Sequence, residues 1–142
     1  MKAIGIDIGS LTTKVVILDN GSILSSGITS SGDEAEASAK EAIARAVGQA
    51  GLSLDHDLYV VSTGVGGKSL SFSQQQKAVT TCLARGIHHL FPSARMVIDM
   101  GAETTTVIKV NERGRLSDWV NQDKCAAGTG IFVQQMAKLM QM

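Results

Sequence analysis

The residues best suited to chemistry lie in a short polar turn between two apolar runs near the start of the chain. Asp7 closes the first run, and Gly9 opens a turn rich in hydroxyl groups. Consecutive backbone N–H groups in such a turn can hold an anion, and Gly9 lets a ligand approach the backbone closely. A carboxylate at the mouth suits a magnesium ion bound through water. The turn predicts a phosphate site at Gly9, Ser10, Leu11, Thr12, Thr13 and Lys14, with Asp7 as the catalytic, magnesium-binding carboxylate. An ordinary hairpin is the alternative.

The same arrangement returns in the second half of the chain. An apolar run beginning at Met96 leads through Asp99 and Gly101 into a second hydroxyl-rich turn, Thr104 to Thr106. One such loop is a weak signal, but two indicate an internal repeat. We expect the loops to face each other across a cleft and to hold the phosphates of ATP or ADP, with Asp7 and Asp99 organising magnesium.

Composition allows a globular enzyme fragment and gives no sign of a nucleic-acid or membrane partner. The 142 residues are 44% hydrophobic, and 13 basic residues balance 13 acidic ones. No run reaches the roughly 18 apolar residues of a membrane span, and no signal-peptide core follows Met1, so we expect a cytoplasmic protein. Cys82 and Cys125 form no CxxC pair, which argues against a disulfide framework and leaves thiol or metal chemistry open.

The elements that position the first turn are predicted from periodicity and turn residues. Asn20-Gly21 is a strong turn signal that leads into a third strand, Ser22 to Thr29. Ser31 and Glu34 form a capping box before a helix with an Ala-rich face, which Gly51 ends. A buried strand over 58–61 is followed by a loop at its carboxyl end, over 62–67, where ligands collect in open α/β sheets.

Later elements follow the same logic. Gly64 to Ser69 resembles a Walker A loop, but the motif needs glycine at position 62, which is Ser. Helical spacing runs from about Gln74 to Leu90, with Cys82 on its apolar face and two histidines near its end as partners for the helix C-terminus. A third strand of the repeat is predicted over 115–120, and residues 140–142 should lie within a longer helix.

These motifs carry a family resemblance. The paired Asp-x-Gly hairpins resemble those of the actin, sugar kinase and Hsp70 ATPase superfamily. The stretch Asp123 to Gly130, with Cys125 and Gly128, resembles the signature of activators of 2-hydroxyacyl-CoA dehydratases and of benzoyl-CoA reductase ATPase subunits. The resemblance implies an α/β fold with a mixed sheet and antiparallel hairpins: a ribonuclease H-like (actin-like ATPase) domain over 1–94 and the incomplete start of a second over 95–142.

The family's function supplies the expected cofactors and partners. Such proteins are homodimers that carry one [4Fe-4S] cluster between subunits and use ATP to drive a low-potential electron into a CoA-ester dehydratase or reductase. By resemblance, Cys125 is an iron ligand and Gly128 belongs to the cofactor site. A helix opening after Cys125 and the neighbouring Lys124 would favour its thiolate. Without the resemblance, a buried and inert cysteine is the alternative.

The chain departs from the family pattern in its second loop and in its length. The family continues with Gly, Gln and Asp after the first glycine, whereas this chain has Ala102, Glu103 and Thr104. Glu103 could replace the missing catalytic carboxylate, and Gly101, Ala102 and Thr104 remain expected phosphate contacts. Family members carry a second cluster cysteine and an adenosine-binding segment in the part beyond position 142. A non-catalytic assembly module and a sugar or acyl kinase fragment are the competing hypotheses.

Overall fold

The computed structural model describes residues 2–51, 58–122, 124 and 128–142. They belong to two compact units, Met1–Ala78 and Val79–Met142. The first unit contains β1 (Lys2–Ile8), β2 (Thr12–Asp19), β3 (Ser22–Ser30), α1 (Ala35–Ala50), β4 (Tyr59–Gly64) and β5 (Gln75–Gln76). The second contains α2 (Val79–Leu90), β6 (Met96–Met100), β7 (Thr105–Val110), β8 (Leu116–Gln122) and α3 (Thr129–Leu139).

The first unit is a five-stranded mixed sheet in the order β3-β2-β1-β4-β5. β1, β2 and β3 form an antiparallel meander, while β4 pairs parallel to β1 with Asp7 opposite Thr63. Asn20 and Gly21 both have positive φ, 49° and 86°, as the tight turn between β2 and β3 requires. The predicted opening hairpin and its third strand are confirmed.

The core of this unit lies between one face of the sheet and α1. Alternate residues of β1 and β2 point into it because strand side chains alternate between faces. Its buried members are Ile4, Ile6, Ile8, Val15, Ile17, Ala39, Ala42, Ala46, Val60 and Leu70. The small Ala residues let α1 lie close to β3, and a Cβ at Gly27 would stand 2.7 Å from the Ala42 carbonyl oxygen.

The start of α1 corrects the sequence analysis. The N-cap residue is Glu34, which makes no side-chain capping bond, so the capping box predicted from Ser31 and Glu34 is wrong. The hydroxyl of Ser31 is instead directed to the β1–β2 loop, where it has two partners. The predicted helix end is confirmed, since Gly51 caps α1 in the left-handed conformation at φ 60°.

The segment after β4 folds back along the same sheet. A 3₁₀ turn, Gly67–Ser69, follows the strand, and Gln75–Gln76 pairs parallel to β4. Hydrogen bonds from Lys40, then from the hydroxyl and backbone N–H of Ser71, hold the pKa of Glu36 below its ordinary value. The charged Glu36 therefore ties this segment to α1. The helix predicted from Gln74 begins only at Val79, because Gln75 and Gln76 complete the sheet edge.

The second unit repeats the opening meander as a three-stranded antiparallel sheet, β6-β7-β8. α2 packs on it through Ala84, beside the buried Ile108 and Val110. The Cβ of a side chain at Gly114 would lie 2.5 Å from the His88 ring, so the β7–β8 turn sits directly on α2. The Nδ1 atom of His88 is buried without a partner among the described residues.

The end of α3 in the second unit differs from the prediction. α3 ends at Leu139, with Met140 as its C-cap and Gln141 at φ 57°. The prediction that residues 140–142 lie within a longer helix is therefore wrong. The chain divides into its two compact units after Ala78, and the domain boundary predicted after residue 94 stays a prediction. Cys82 is half-buried on α2.

Candidate functional site

The first candidate site is the loop that joins β1 to β2. The backbone N–H of Gly9 donates to the Thr12 carbonyl oxygen at 3.0 Å and closes the turn around the exposed Ser10 and Leu11. A Cβ at Gly9 would lie 3.1 Å from that same oxygen, a tight contact that glycine avoids. The structure therefore provides a narrow backbone loop whose tip is open to solvent.

A pair of opposite charges lies beside this loop on the sheet face that α1 does not cover. Asp7 and Lys14 are cross-strand partners, and Lys14 Nζ lies 3.2 Å from Asp7 Oδ2. Their side chains are 36% and 46% exposed, so both groups are accessible to a ligand from solvent. A carboxylate, an ammonium group and a backbone turn thus converge on one side of the sheet.

Two glycines, Gly64 at the end of β4 and Gly66 just after it, support the position of Asp7. Gly64 has φ +85°, and a Cβ there would collide with the Ile8 carbonyl oxygen and lie 2.6 Å from Asp7 Oδ1. The N–H of Gly66 donates to the same Ile8 carbonyl at 3.1 Å. The end of β1 is therefore enclosed by backbone on its β4 side, which leaves the Asp7 carboxylate little freedom in that direction.

The second candidate site, the β6–β7 loop, repeats this geometry within its own unit. Gly101 N–H donates to the Thr104 carbonyl oxygen at 2.8 Å, matching the Gly9–Thr12 bond. Asp7 pairs with Lys14 and Asp99 with Thr106, so each Asp faces the seventh residue after it. Even the register shift between Ile17 and Leu18 recurs between Lys109 and Val110. The repeat predicted from sequence therefore extends to individual hydrogen bonds.

The two loops differ in charge. Thr106 takes the place of Lys14 and donates to Asn121 Oδ1 at 2.8 Å. Among the described residues no salt bridge or side-chain hydrogen bond reaches the Asp99 carboxylate. Glu103 and Thr104 are exposed at the tip, and Ala102 is half-buried. In the part of the chain that the structure describes, the second loop thus offers carboxylates and hydroxyls, and no ammonium group is paired with Asp99.

The start of α3 lies against this second loop. A Cβ at Gly130 would collide with the Gly101 carbonyl oxygen, so the first turn of α3 touches the loop backbone. Gly128 is the exposed N-cap of α3, and its carbonyl oxygen accepts from the Phe132 N–H at 2.9 Å. Cys125, the predicted iron ligand, lies outside the described residues.

A family model matches almost the whole chain. The model of the BadF/BadG/BcrA/BcrD ATPase family matches residues 4–142. The chain belongs to this family. The resemblance drawn from the paired hairpins and the Cys125 segment is thereby confirmed.

Relatives and a solved structure agree with this assignment. The 2-hydroxyisocaproyl-CoA dehydratase activator of Clostridioides difficile is 36% identical over 99% of this chain and 53% of its own length. The activator of lactoyl-CoA dehydratase of Anaerotignum propionicum is 34% identical over 99% of this chain and 54% of its own length. A solved activator of the 2-hydroxyisocaproyl-CoA dehydratase from Clostridium difficile, with bound ADPNP, superposes with TM-score 0.85 at 38% identity. That match covers 100% of this chain and 53% of the solved chain.

These matches establish the fold and show how much of each relative this chain spans. The predicted α/β, actin-like ATPase fold is confirmed. The chain spans about half the length of the relatives it matches. Within the described residues no helix is long and apolar enough to cross a bilayer.

The iron–sulfur expectation can be tested against the donor set. A [4Fe-4S] cluster needs four thiolates, and the sequence contains two cysteines. The described part of the chain holds no group of three or more His, Cys, Asp or Glu side chains arranged around a metal. One copy of this chain therefore cannot ligate a complete cluster.

The structure groups the predicted site residues into two separate loops. Gly9 to Lys14 surround the first turn with Asp7, and Gly101, Ala102, Glu103 and Thr104 form the second beside Asp99. Thr13 is the exception, because its hydroxyl is buried on the α1 face and bonds to Ser31. Ser31, Gly64 and Gly130 touch these loops, although the sequence analysis did not include them in the site. For Gly64 and Gly130 the signal was glycine itself, since each lies where backbone approaches backbone.

Proposed function

We propose that this chain is the phosphate-binding half of an ATP-binding and ATP-hydrolysing activator. In the full-length protein, hydrolysis would be coupled to transfer of a low-potential electron from a [4Fe-4S] cluster to a CoA-ester dehydratase or reductase. The observation that carries the proposal is the pair of hairpins with one shared register, each with an Asp at the next-to-last position of its first strand, just before a glycine turn. ATP analogue binding by the solved activator supports the same ligand class.

The residues of the first loop have distinct roles in this proposal. The backbone turn at Gly9 to Thr12 and the Lys14 ammonium bind phosphate oxygens, and Asp7 holds a magnesium-bound water. Phosphoryl transfer depends on positioning and charge neutralisation more than on covalent chemistry by the protein. Magnesium, when bound, neutralises phosphate charge there. In the second loop, Asp99 and Glu103 are the carboxylates available to orient a water, and Gly101, Ala102 and Thr104 contact phosphate.

The partners follow from the relatives named as dehydratase activators. We place the CoA ester on the partner enzyme and expect two activator subunits to share the cluster through Cys125. In such an assembly, nucleotide binding and hydrolysis would rotate the subunits and so move the shared cluster, because small changes at a nucleotide site can be amplified at an interface. A structure with CoA bound in this chain would contradict this assignment.

A non-catalytic assembly module of the same fold is the second candidate. Thr104 stands where the family pattern has Asp, so the second loop lacks one carboxylate. Such a module would keep the fold and lose metal-dependent nucleotide affinity. Its binding of ADP would therefore be the same with and without magnesium.

Titration calorimetry of the chain with ADP, with and without magnesium, tests the proposal. Asp7→Asn should weaken magnesium-dependent binding by about tenfold or more, because the water-holding charge is lost, while the fold stays intact. Glu41→Gln is the control, since Glu41 is an exposed carboxylate of α1, which packs on the opposite face of the sheet from Asp7. Unchanged affinity in Asp7→Asn would remove Asp7 from the site.

A further inference from the structure

Ser31, the residue directly after β3, is bonded to both sides of the first loop. Its Oγ donates to the Gly9 carbonyl oxygen at 2.7 Å, and its backbone N–H donates to the Leu11 carbonyl oxygen at 2.9 Å. The Thr13 hydroxyl lies 2.9 Å from the same Oγ. Since Ser31 has one hydroxyl proton and gives it to Gly9, the Thr13 hydroxyl donates to Ser31.

These bonds fix which way one peptide of the loop faces. Thr13 is fully buried on the α1 face of the sheet, so Ser31 Oγ and the Gly9 carbonyl also lie toward that face. In a trans peptide the N–H of the next residue points opposite to the carbonyl. The Ser10 N–H is therefore directed to the other face of the sheet.

That other face is where the charged groups of the loop lie. Asp7 and Lys14 alternate with the buried Ile6, Ile8, Thr13 and Val15, so their side chains leave the sheet on the side away from α1. The Ser10 N–H, the Lys14 ammonium and the Asp7 carboxylate thus share one face. Released from Ser31, the Gly9–Ser10 peptide could rotate, because glycine tolerates most backbone angles.

We propose that Ser31 is a positioning residue for phosphate binding. Its hydroxyl holds the Gly9 carbonyl on the α1 face so that the Ser10 N–H is presented to the anion beside Lys14. This role rests on the proposed nucleotide function, but it can be measured with a simpler anion. Ser31 acts through the loop backbone and does not itself contact the ligand.

The test compares three variants of the chain. Ser31→Ala removes the hydroxyl, and Ser31→Thr keeps it. Ser25→Ala is the matched control, since Ser25 Oγ also donates from β3 to a carbonyl oxygen, that of Ala46 in α1, at 2.7 Å. Denaturant unfolding gives the stability of each variant. Binding is measured by NMR, as the shift of the Ser10 amide resonance during titration with inorganic pyrophosphate and with magnesium ADP.

Ser31→Ala should need about tenfold more pyrophosphate or ADP to shift the Ser10 amide, as expected when one preorganised donor is lost. Ser31→Thr and Ser25→Ala should titrate like the unchanged chain, although Ser25→Ala loses stability. Equal titration of Ser31→Ala and the unchanged chain would overturn the proposal, as would equal weakening in Ser25→Ala. A Ser31-dependent response to pyrophosphate without any response to ADP would support the positioning role and contradict the nucleotide function.

Discussion

The ion pair between Lys14 and Asp7 has the properties of an exchangeable contact. Exposed pairs of this kind contribute little to stability, typically about 0–1 kcal/mol, because water competes for both charges. At 3.2 Å and with both side chains partly exposed, the Lys14 ammonium can leave Asp7 for a phosphate at small cost. The pair therefore keeps the two groups that we propose for ligand binding close to the loop, while both stay available to a ligand.

A substitution at Gly64 tests whether this residue holds the Asp7 carboxylate in position. Gly64→Ala should destabilise the chain by at least about 3 kcal/mol, since it combines positive-φ strain with a collision against the Ile8 carbonyl. Denaturant unfolding measures the loss. If the variant still folds, the displaced Asp7 carboxylate should also weaken magnesium-dependent ADP binding.

Gly51→Ala separates strain from collision. Gly51 also has positive φ, +60°, but nothing lies within 4 Å of the position of its Cβ. Gly51→Ala should lower the free energy of unfolding by only about 1 kcal/mol, which is the contribution of backbone strain alone. Equal losses at Gly64 and Gly51 would mean that the contact with Ile8 and Asp7 relaxes freely.

At this scale the sequence predicted the loop residues better than the residues that hold them. Asp7, Gly9 and Lys14 were found because residues adjacent in sequence form one turn. Ser31 was assigned to a helix cap because a local rule fits Ser31 and Glu34, whereas its partners, Gly9 and Thr13, are distant in sequence. Only the pairing of the strands brings Ser31 close to Gly9 and Thr13, and no pattern of neighbouring residues predicts that contact.

The contact between β3 and α1 is the element-scale feature most sensitive to side-chain size. Gly27→Ala would place a Cβ 2.7 Å from the Ala42 carbonyl oxygen and 3.2 Å from the Ala46 nitrogen. Because both are backbone atoms of a helix, α1 must move away from β3, at a cost of about 1–3 kcal/mol. Thermal or denaturant unfolding measures this loss.

Gly48→Ala is the control on α1 itself. Gly48 is exposed within the helix, and a Cβ at this position would have nothing within 4 Å, so alanine should stabilise the chain by about 0.5–1 kcal/mol. If Gly27→Ala also stabilises the chain, the spacing between β3 and α1 does not restrict the size of the side chain at position 27.

Most elements could be predicted because their periodicity agrees with their tertiary environment. The meander alternates buried and exposed residues, and α1 places Ala39, Ala42 and Ala46 on one face. The start of α2 could not be predicted in this way. Gln75 and Gln76 carry no strand pattern, and their pairing depends on the neighbouring edge of β4.

At the scale of the whole molecule, the cysteine count gives the clearest prediction. Two Cys125 thiolates from two subunits supply half of the ligands that a [4Fe-4S] cluster needs. We expect this chain to purify without a stable cluster, even after anaerobic reconstitution, and a longer form extending past residue 142 to carry one. Iron and sulfide analysis with the visible spectrum measures the outcome.

Two single substitutions control this experiment. About four irons per dimer, lost in Cys125→Ser but retained in Cys82→Ser, would contradict the prediction and show that this chain completes the site in another way. Cys82 lies half-buried on α2, so Cys82→Ser also reports whether α2 tolerates a polar replacement.

The pairing of β1 with two different neighbours implies an order of folding. Ile8 pairs with Thr13 through a short loop and with Gly64 only across a long intervening segment. Closing the longer loop costs more chain entropy, and non-local contacts form more slowly than local ones. The β1–β2 turn should therefore exist before β4 docks, and pulse-labelled hydrogen exchange during refolding should protect β2 amides ahead of those in β4. A newly folding chain would thus form the loop proposed to bind phosphate before Gly64 restricts the position of the Asp7 carboxylate.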